Sequence, residues 1–319
     1  MSLKTALHAS IRRVPSFINL KTDFKTDENV RQADLKYLLP GVVNLGRLLL
    51  EEKKKTPVKY GLVIVAIAKN EAPYLSEWIN YYLTLGVSHF YIYDNESTDN
   101  IQEILSKYGN LVTYTKFPGR RRQLDAYNHA LNCFGRSCHY MAFLDVDEFL
   151  YVQDQKQNLL DILFKYFSTK NVGGLAINWQ VFGSSHLEKK PSGLMTDNFV
   201  YRSKNDFEKN HHVKSIVDPK YTAGFIDNPH CPYYLPGHHT IDTNGSKLTG
   251  TFTKSVNTDT MRINHYFTKS KEEFMQKKAR GRATTKAQRT MQDFVDHDKN
   301  DIFDDSLRQY NRAHHLSEK

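Results

Sequence analysis

The chain of 319 residues is 39% hydrophobic and holds 18 Phe and 19 Tyr, which is enough apolar material for a sizeable core and excludes wholesale disorder. Lys and Arg number 44 against 35 Asp and Glu, and the formal charge of +9 favours acidic partners such as phosphates, nucleotides or anionic lipid headgroups. Three Cys without a CxxC pair exclude a disulfide framework and a cysteine zinc site. The sequence shows neither the long apolar run of a transmembrane helix nor a signal peptide, so we expect a soluble protein of the cytoplasm.

Residues 1–56 are weakly patterned and end in a run of charged residues before Pro57. We predict that they form an N-terminal extension, joined through a polar linker to one domain that spans residues 57–285. Two roles stay open for the extension, a solvated tail or a contact with a membrane surface. Residues 286–319 are predicted to be a helical, basic C-terminal segment.

The segment from residue 60 to residue 145 alternates between strand and helix patterns. Apolar runs rich in β-branched and aromatic residues predict strands at Leu62–Ala68, Phe90–Tyr93, Leu111–Thr115 and His139–Leu144. Between them, apolar residues spaced three and four apart predict helices that begin at Pro73, after the N-cap candidates Ser97–Asp99, and near Leu124. Short loops between such elements imply right-handed crossovers. The fold is therefore predicted to be α/β, with a mainly parallel, Rossmann-like sheet flanked by helices.

The pattern continues more loosely downstream. A helix at Leu159–Phe167 and a strand at Leu175–Val181 are predicted first. Residues 183–265 are rich in Gly, Pro, Asn and His, and we expect short elements and loops there. Residues 271–312 have a helical and strongly charged pattern. Loops on a rigid scaffold carry functional sites more often than cores do.

Polar residues follow each of the four predicted strands. Asn70 and Glu71 follow the first strand, Asp94 ends the second, and Arg122 follows the third. The fourth strand runs directly into Asp145-Val146-Asp147-Glu148. Because ligands of open parallel sheets bind at the carboxyl ends of the strands, these residues predict a polar ligand or a cation at that edge.

The DxD sequence Asp145-Val146-Asp147 is the sharpest of these features. Carboxylates so close together repel one another unless a cation intervenes, and hard oxygen donors suit Mg²⁺ or Mn²⁺ bridging to substrate phosphates. A divalent ion that holds a diphosphate is one interpretation, and a turn cluster at a strand end is the other. The position of the motif after an apolar strand favours the first.

Other polar residues are open to two interpretations. Asp94 is placed either to accept hydrogen bonds from a nucleotide or to form an Asx turn. Arg122 is either part of a solvated basic run or a phosphate ligand. His265 is either structural or a third ligand for Mn²⁺. No GxGxxG follows the first strand and no P-loop sequence occurs, so dinucleotide and P-loop interpretations are disfavoured.

Several motifs in the same order resemble glycosyltransferase family 92 and its relatives among the family 2-like glycosyltransferases. The matching motifs are Lys69-Asn70-Glu71, Tyr93-Asp94-Asn95-Glu96-Ser97-Thr98-Asp99, Asp145-Val146-Asp147-Glu148-Phe149, Asn178-Trp179, Val213-Lys214-Ser215-Ile216-Val217, Asn264-His265-Tyr266 and Lys269-Ser270. The resemblance covers roughly residues 60–285 and is much more specific than the DxD motif alone.

The resemblance implies a GT-A fold and a metal-dependent, inverting transferase that takes galactose or another hexose from a UDP-sugar. It implies that Asp145 contacts the ribose or the metal and that Asp147 and His265 ligate Mn²⁺ or Mg²⁺. Asp94 would hold the uridine, with Asn70 and Glu71 nearby. The roles implied at the diphosphate fall on Lys269, Lys277 and Arg280.

The catalytic base is expected after the DxD motif, in the acceptor half, where it would remove a proton from the attacking hydroxyl. The candidates are Asp206, Glu208, Asp218, Asp227 and His230, of which the last three are preferred. Family 2 enzymes commonly use an Asp from a Glu-Asp pair, and this sequence shows no such pair in residues 183–265. Trp179 and Phe182 are each open to two interpretations, stacking on a sugar or packing in the core.

Animal and plant members of family 92 are usually anchored in the secretory pathway. The lack of an anchor in this sequence leads us to expect a bacterial-type enzyme of surface polysaccharide synthesis, such as lipopolysaccharide or capsule. It would use an oligosaccharide or lipid-linked glycan acceptor at the inner face of the cytoplasmic membrane, with its basic termini touching anionic lipid. Alternatives are a metal-dependent nucleotidyltransferase and a non-catalytic nucleotide- or sugar-binding relative. Nucleic-acid binding is disfavoured because basic and acidic residues are interleaved.

Overall fold

The computed structural model describes residues 1–19, 35–55, 57–279 and 288–317. The α-helices of this part are α1 (Leu3–Arg12), α2 (Pro15–Ile18), α3 (Leu38–Glu52), α4 (Ala72–Thr84), α5 (Ile101–Ser106), α6 (Gln123–Phe134), α7 (Leu159–Phe167), α8 (Met195–Asn198), α9 (Lys271–Ala279), α10 (Met291–His297) and α11 (Ser306–Ala313). The strands are β1 (Tyr60–Ala68), β2 (Val87–Asp94), β3 (Val112–Lys116), β4 (Cys138–Phe143), β5 (Glu148–Val152), β6 (Val172–Val181), β7 (Tyr201–Arg202), β8 (Val213–Val217), β9 (Thr222–Gly224), β10 (Tyr233–Tyr234), β11 (His239–Asp242), β12 (Lys247–Leu248), β13 (Met261–His265) and β14 (Ile302–Phe303).

The main sheet has the strand order β12-β11-β6-β8-β4-β1-β2-β3. Strands β3, β2, β1 and β4 pair in parallel. Strand β8 is antiparallel to both of its neighbours, β4 and β6. Strand β6 is parallel to β11 and also to β13, which in turn pairs with β5 in antiparallel fashion. The predicted mainly parallel α/β sheet is confirmed, with one reversed strand inside it.

Strand β1 lies in the middle of the core because its side chains are apolar on both faces. Ile64 and Ala66 belong to a cluster that includes Trp78 of α4, whereas Val63 and Val65 belong to a second cluster with Tyr127 of α6. Helices therefore cover the sheet on both faces, as the continuous apolar run predicts.

Helix α4 also fixes the segment that follows β4. The Trp78 Nε1 and the Tyr82 hydroxyl both donate to the Glu148 carbonyl, each at 3.0 Å, and all three residues are buried. Two buried donors on one carbonyl hold the start of β5 in place. The main chain just after the DxD motif is thereby anchored to the core.

The described part of the N-terminal extension packs on the domain and is not a solvated tail. Arg13 is 3% exposed, and its guanidinium donates to the carbonyls of Thr222 and Leu131, both at 2.8 Å. Burial lowers the pKa of this guanidinium to about 9. A buried cation with two carbonyl acceptors ties α1 to β9 and α6. The predicted domain boundary at residue 57 stays a prediction.

The C-terminal segment folds back onto the end of β6. Strand β14 pairs with β7. Asp304 forms ion pairs with Arg202 at 2.7 Å and with Arg262 at 2.8 Å. Gly183, directly after Phe182, approaches this segment so closely that a β-carbon there would overlap the Lys299 carbonyl. Within the described ranges, no helix is long and apolar enough to cross a membrane.

The approach of Gly183 to the C-terminal segment gives a stability prediction. Gly183→Ala forces the Lys299 main chain to move, and we expect a loss of about 1–3 kcal/mol in the free energy of unfolding. Gly46→Ala is the matched control, because nothing lies within 4 Å of a β-carbon at this helical position; it should gain about 0.5–1 kcal/mol. Urea unfolding measures both, and an unchanged Gly183→Ala would contradict the close packing.

Candidate active site

Polar side chains from five strands and the loops after them meet at one edge of the sheet. The carboxyl ends of the parallel strands β1, β2 and β4 bring Asn70, Asp94 and Asp145 to this edge. Because β8 runs in the opposite direction, its amino end with Lys214 lies there, and β13 brings His265. We call this edge, defined by these five residues, the site edge.

Asp145 is held by two side chains. The Lys214 Nζ donates to its Oδ2 at 2.8 Å and the Gln123 Nε2 to its Oδ1 at 3.0 Å. The Asp145 side chain is 35% exposed, whereas Lys214 is 1% exposed. The Asp145 carboxylate is therefore held in place by two protein side chains and remains accessible from solvent.

Lys214 also contacts a second carboxyl group, that of the fully buried Glu148, at 3.2 Å. Burial lowers the pKa of the ammonium, but Asp145 and Glu148 outweigh burial and raise the pKa well above its ordinary value. Burial raises the pKa of Glu148 to about 8. One ammonium offsets one carboxylate, so Glu148 is the carboxyl group that holds a proton near neutral pH.

Asp147 lies buried between two basic side chains. The Lys277 Nζ donates to its Oδ2 at 2.5 Å, and the His265 Nε2 lies 3.9 Å from its Oδ1. Burial by itself raises the pKa of Asp147, but the Lys277 ammonium outweighs burial and holds the pKa well below its ordinary value. Asp147 is therefore ionised near neutral pH.

Asp147 and His265 lie near enough to share a divalent cation after a small side-chain shift. Neighbouring ligands of an ion at about 2.1 Å lie about 3 Å apart, and the facing atoms of these two side chains lie 3.9 Å apart. A carboxylate with an imidazole suits Mn²⁺ and related ions. Asp145 instead faces Lys214 and Gln123. In the part of the chain that the structure describes, no group of three His, Cys, Asp or Glu side chains is arranged as a metal site.

The ends of β1 and β2 are tied to each other. Ser97 Oγ accepts from the Asn70 amide at 3.0 Å, and Asp99 accepts from the Ala72 amide at 2.9 Å. Helix α5 begins only after Asn100, so the prediction that Ser97–Asp99 cap this helix is wrong. These side chains instead stabilise the loop after β1.

Asp94 forms an Asx turn, which is one of the two roles predicted for it from the sequence. Its Oδ1 accepts from the Ser97 amide at 2.9 Å and its Oδ2 from the Tyr114 hydroxyl at 2.6 Å. Burial raises the pKa of Asp94, but these hydrogen bonds outweigh burial and lower it. A nucleotide that reaches Asp94 would donate a hydrogen bond to a carboxylate that Tyr114 already orients.

The predicted phosphate ligands are placed in different ways. Lys269 lies 3.7 Å from Glu71 and 3.9 Å from the centre of the Tyr74 ring. Lys277 lies on Asp147, as described above. Arg122 forms a buried ion pair with Asp125 at 2.7 Å. Arg280 lies outside the described residues.

The three preferred base candidates lie at different distances from the site edge. Asp218 follows the carboxyl end of β8, beside the first residues of β4, and thus lies at the edge opposite the site edge. The prediction of Asp218 as a catalytic base is therefore wrong. Asp227 is exposed in the loop between β9 and β10 and accepts from Tyr233 at 3.2 Å. Asp206 and Glu208 are exposed in the loop between β7 and β8.

His230 lies beside the site edge and has a defined tautomer. Its Nδ1 is 2.9 Å from the Val213 carbonyl, which precedes Lys214. Because a carbonyl only accepts, Nδ1 carries the proton and Nε2 carries the lone pair. Burial lowers the pKa of His230 well below its ordinary value, which keeps the ring neutral. A neutral imidazole with Nε2 as acceptor has the chemistry of a general base.

An aromatic group lies next to His265 and His230. The Trp179 ring centre is 4.2 Å from that of His265 and 5.2 Å from that of His230, and His212 stacks on it at 4.9 Å. Trp179 is 8% exposed, and its Nε1 has no hydrogen-bond partner among the described residues. Phe182 packs against Tyr266 in the core. Of the two aromatic candidates, Trp179 is the one at the site.

Sequence reasoning assigned no role to Lys214, Glu148 or Gln123, although all three shape the site. Lys214 is a single cation in the buried strand sequence VKSIV. A lysine in such a strand is rare unless it is paired, and this was the available signal. Its partners follow only from the antiparallel direction of β8.

Lys214 gives a stability prediction. Lys214→Met removes the cation beside Asp145 and leaves the buried, protonated Glu148 without its polar partner, and we expect a loss of about 1–3 kcal/mol in the free energy of unfolding at neutral pH. A triple variant that adds Asp145→Asn and Glu148→Gln should recover most of that loss, since no unpaired charge then remains. Denaturant unfolding measures both variants. Equal stability of Lys214→Met and the unmodified chain would contradict the ion pairs.

Asp218 gives a prediction for pH. Burial raises its pKa from 3.8 to about 6, so the folded state binds a proton more tightly than the unfolded state does. Stability from this group is present at low pH and is lost as pH rises from about 4 to about 6. Asn mimics the protonated acid and does not titrate. The stability of Asp218→Asn relative to the unmodified chain should therefore increase by about 2 kcal/mol when the pH rises from 4.5 to 8. Thermal unfolding at the two values tests this, and a constant difference would contradict it.

Solved structures that align with part of this chain include TarS of S. aureus, with a TM-score of 0.34 at 14% identity over 50% of this chain and 47% of that one. Another is the mannosyltransferase PcManGT of Pyrobaculum calidifontis, solved with GDP-Man and Mn²⁺, with a TM-score of 0.30 at 18% identity over 42% and 41%. At these TM-scores, the alignments carry no argument about function.

Sequence comparison is more specific. A family 92 glycosyltransferase of Arabidopsis thaliana is 32% identical over 205 residues, which are 60% of this chain and 35% of that protein. One of Ricinus communis is 30% identical over 193 residues, which are 57% and 32%. This chain thus spans about a third of the length of the curated relatives it matches. The model of glycosyltransferase family 92 matches residues 65–312, which is most of the chain. The family predicted from the sequence is confirmed, and the chain belongs to glycosyltransferase family 92.

Proposed function

We propose that this chain transfers a hexosyl group from a nucleotide sugar to a hydroxyl group of a glycan acceptor, with inversion at the anomeric carbon. The observation that carries the proposal is the alternation of charge at the site edge, where Asp145 and Asp147 are paired with Lys214 and Lys277. Such a site holds a diphosphate and stabilises the negative charge that develops on it as it leaves. Membership of family 92 supports the same reaction class.

The donor is proposed to be a UDP-sugar, with galactose or another hexose as the sugar. Its nucleoside would lie over the ends of β1 and β2, against Asn70 and Asp94. Its diphosphate would lie near Lys277 and Lys269, which are buried and whose ammonium groups are close to Asp147 or Glu71. These two lysines offer charge-assisted hydrogen bonds to phosphate oxygens.

Asp147 and His265 would hold Mn²⁺ or Mg²⁺. When bound, such an ion would act as a Lewis acid and neutralise charge on the leaving diphosphate. Asp147 presents Oδ1 toward His265, while Lys277 occupies Oδ2. Lys277 thus orients the carboxylate without blocking the oxygen that faces His265. Asp145 is proposed to contact the ribose, because Lys214 and Gln123 hold it in place with one side open to solvent.

His230 is proposed as the base. Its Nε2 would accept the proton of the acceptor hydroxyl as that oxygen attacks the anomeric carbon. The hydrogen bond from Nδ1 to the Val213 carbonyl fixes the ring in the required tautomer. Trp179 is buried in contact with both His230 and His265 and shields them from solvent. Aromatic faces of this kind exclude water from the reacting atoms.

The biological setting stays a prediction. The curated relatives reported above are plant proteins, so the expected role in bacterial lipopolysaccharide or capsule synthesis, at the inner face of the cytoplasmic membrane, depends on the sequence features alone. The alternative of a nucleotidyltransferase differs in its product, since it would release pyrophosphate rather than a nucleoside diphosphate. Product analysis separates the two.

Calorimetric titration of UDP with Mn²⁺, and again with EDTA, tests the proposal. We expect binding that weakens by about tenfold or more in EDTA and in Asp147→Asn, because both remove the ion from the diphosphate. His230→Gln is the matched control. It should bind UDP as the unmodified chain does, yet lose about 100-fold or more in hexosyl transfer from a UDP-sugar.

Two outcomes would contradict the proposal. Absence of UDP binding in either condition would reject the nucleotide site, provided that circular dichroism shows a folded protein. Metal-dependent UDP binding with unchanged transfer in His230→Gln would leave the donor site in place and reject His230 as the base.

A further inference from the structure

Helix α3 is apolar on two opposite faces. Its inner face packs on α1, where Gly41 comes so close to Ile11 that a β-carbon would overlap that side chain. Asn44 donates to the Ser10 carbonyl at 2.9 Å, and the Ser10 hydroxyl donates to the Gly41 carbonyl at 2.8 Å. The inner face is thus fully used in holding α3 to the domain.

The outer face of α3 carries a continuous apolar surface. The exposed fractions on it and just before it are 75% for Leu35, 44% for Leu38, 74% for Leu39, 49% for Val42, 66% for Val43 and 66% for Leu50. The spacing of these residues places them on one side of the helix. We call these six residues the α3 outer face. Single exposed apolar residues need no explanation, whereas a contiguous stripe indicates a partner.

Cations border this face on one flank and at its end. At 100° per residue, Arg47 falls on that flank, where it also lies 3.9 Å from Glu51. Lys36 precedes the helix, and Lys53–Lys55 follow its end after Glu51 and Glu52. No Asp or Glu occurs from Leu35 to Leu50. An apolar face with a basic flank is typical of a helix that lies in the plane of a membrane interface. The formal charge of +9 adds a long-range attraction to anionic lipid.

We propose that the α3 outer face docks this chain on the surface of an anionic lipid bilayer, with α3 lying parallel to the membrane plane. Its apolar side chains would enter the boundary between headgroups and acyl chains, and the flanking cations would contact lipid phosphates. The inference goes beyond the proposed function and is independent of the donor, the metal and the base.

Other occupants fit the observations less well. A second copy that packs antiparallel through the same face across a two-fold axis would bring the flanking cations of both copies together, which is repulsive. Residues 20–34 precede this face in the chain and have seven charged side chains in fifteen, with only Leu20, Phe24 and Val30 as large apolar ones. Their composition does not complement six exposed aliphatic side chains. Lipid supplies both the apolar depth and the anionic charge.

Co-sedimentation with vesicles tests the proposal on the full chain. The probes are phosphatidylcholine vesicles with and without phosphatidylglycerol, at low and at high salt. We expect binding to the anionic vesicles that decreases with salt and falls by about tenfold or more in Leu39→Glu/Val43→Glu. Phe164→Glu is the matched control, because Phe164 on α7 is 69% exposed but lies outside the α3 outer face, and it should bind as the unmodified chain does.

The same samples exclude trivial explanations. Circular dichroism and UDP titration should be unchanged in the double variant, which separates a failed docking proposal from a failed donor site. Lys53→Gln/Lys54→Gln should weaken binding at low salt by several fold without changing it at high salt. No binding by the unmodified chain, equal binding to neutral vesicles or equal binding by Leu39→Glu/Val43→Glu would each overturn the proposal. A dimer in light scattering that the double variant dissociates, without vesicle binding, would assign the face to a second copy.

Discussion

The site depends on pairing each carboxylate after β4 with a cation from elsewhere in the fold. Asp145, Asp147 and Glu148 lie within four residues of one another, and mutual repulsion would prevent their burial together. Lys214 from β8 and Lys277 from α9 neutralise two of them, and Glu148 keeps a proton. The two lysines come from distant parts of the chain, so the site edge forms only when β4, β8 and α9 are assembled.

This requirement explains which parts of the site the sequence predicts. Continuous apolar runs such as Leu62–Ala68 specify buried strands, and the helix at Leu159–Phe167 is predicted to the residue, because periodicity and termini agree. A polar residue after a parallel strand can be placed at the carboxyl edge without further information. Asp94 and the DxD motif are therefore located correctly from the sequence.

The positions of Lys214 and Asp218 depend on strand direction. Strand β8 is reversed between β4 and β6. Reversal carries Lys214 to the site edge and Asp218 away from it, although the two residues are only four positions apart. Direction depends on pairing with β4 and β6, and no local pattern in the sequence VKSIV encodes it. Trp179 and Phe182 show the same limit, since pairing of β6 with β13 decides which aromatic ring faces His265.

The N-terminal helices show how an extension can be both part of the core and a separate surface. Arg13 is buried, and its two carbonyl acceptors belong to β9 and α6, so α1 cannot move without opening the domain. Helix α3 is joined to α1 by the closely packed Gly41 and the hydrogen bonds around Ser10. Any partner bound to the outer face of α3 is therefore held rigidly with respect to the sheet. An apolar stripe on such a helix costs solubility and adds nothing to folding, since the inner face already supplies the packing. Its presence on a rigid support is the expected property of a docking surface that must orient a catalytic domain.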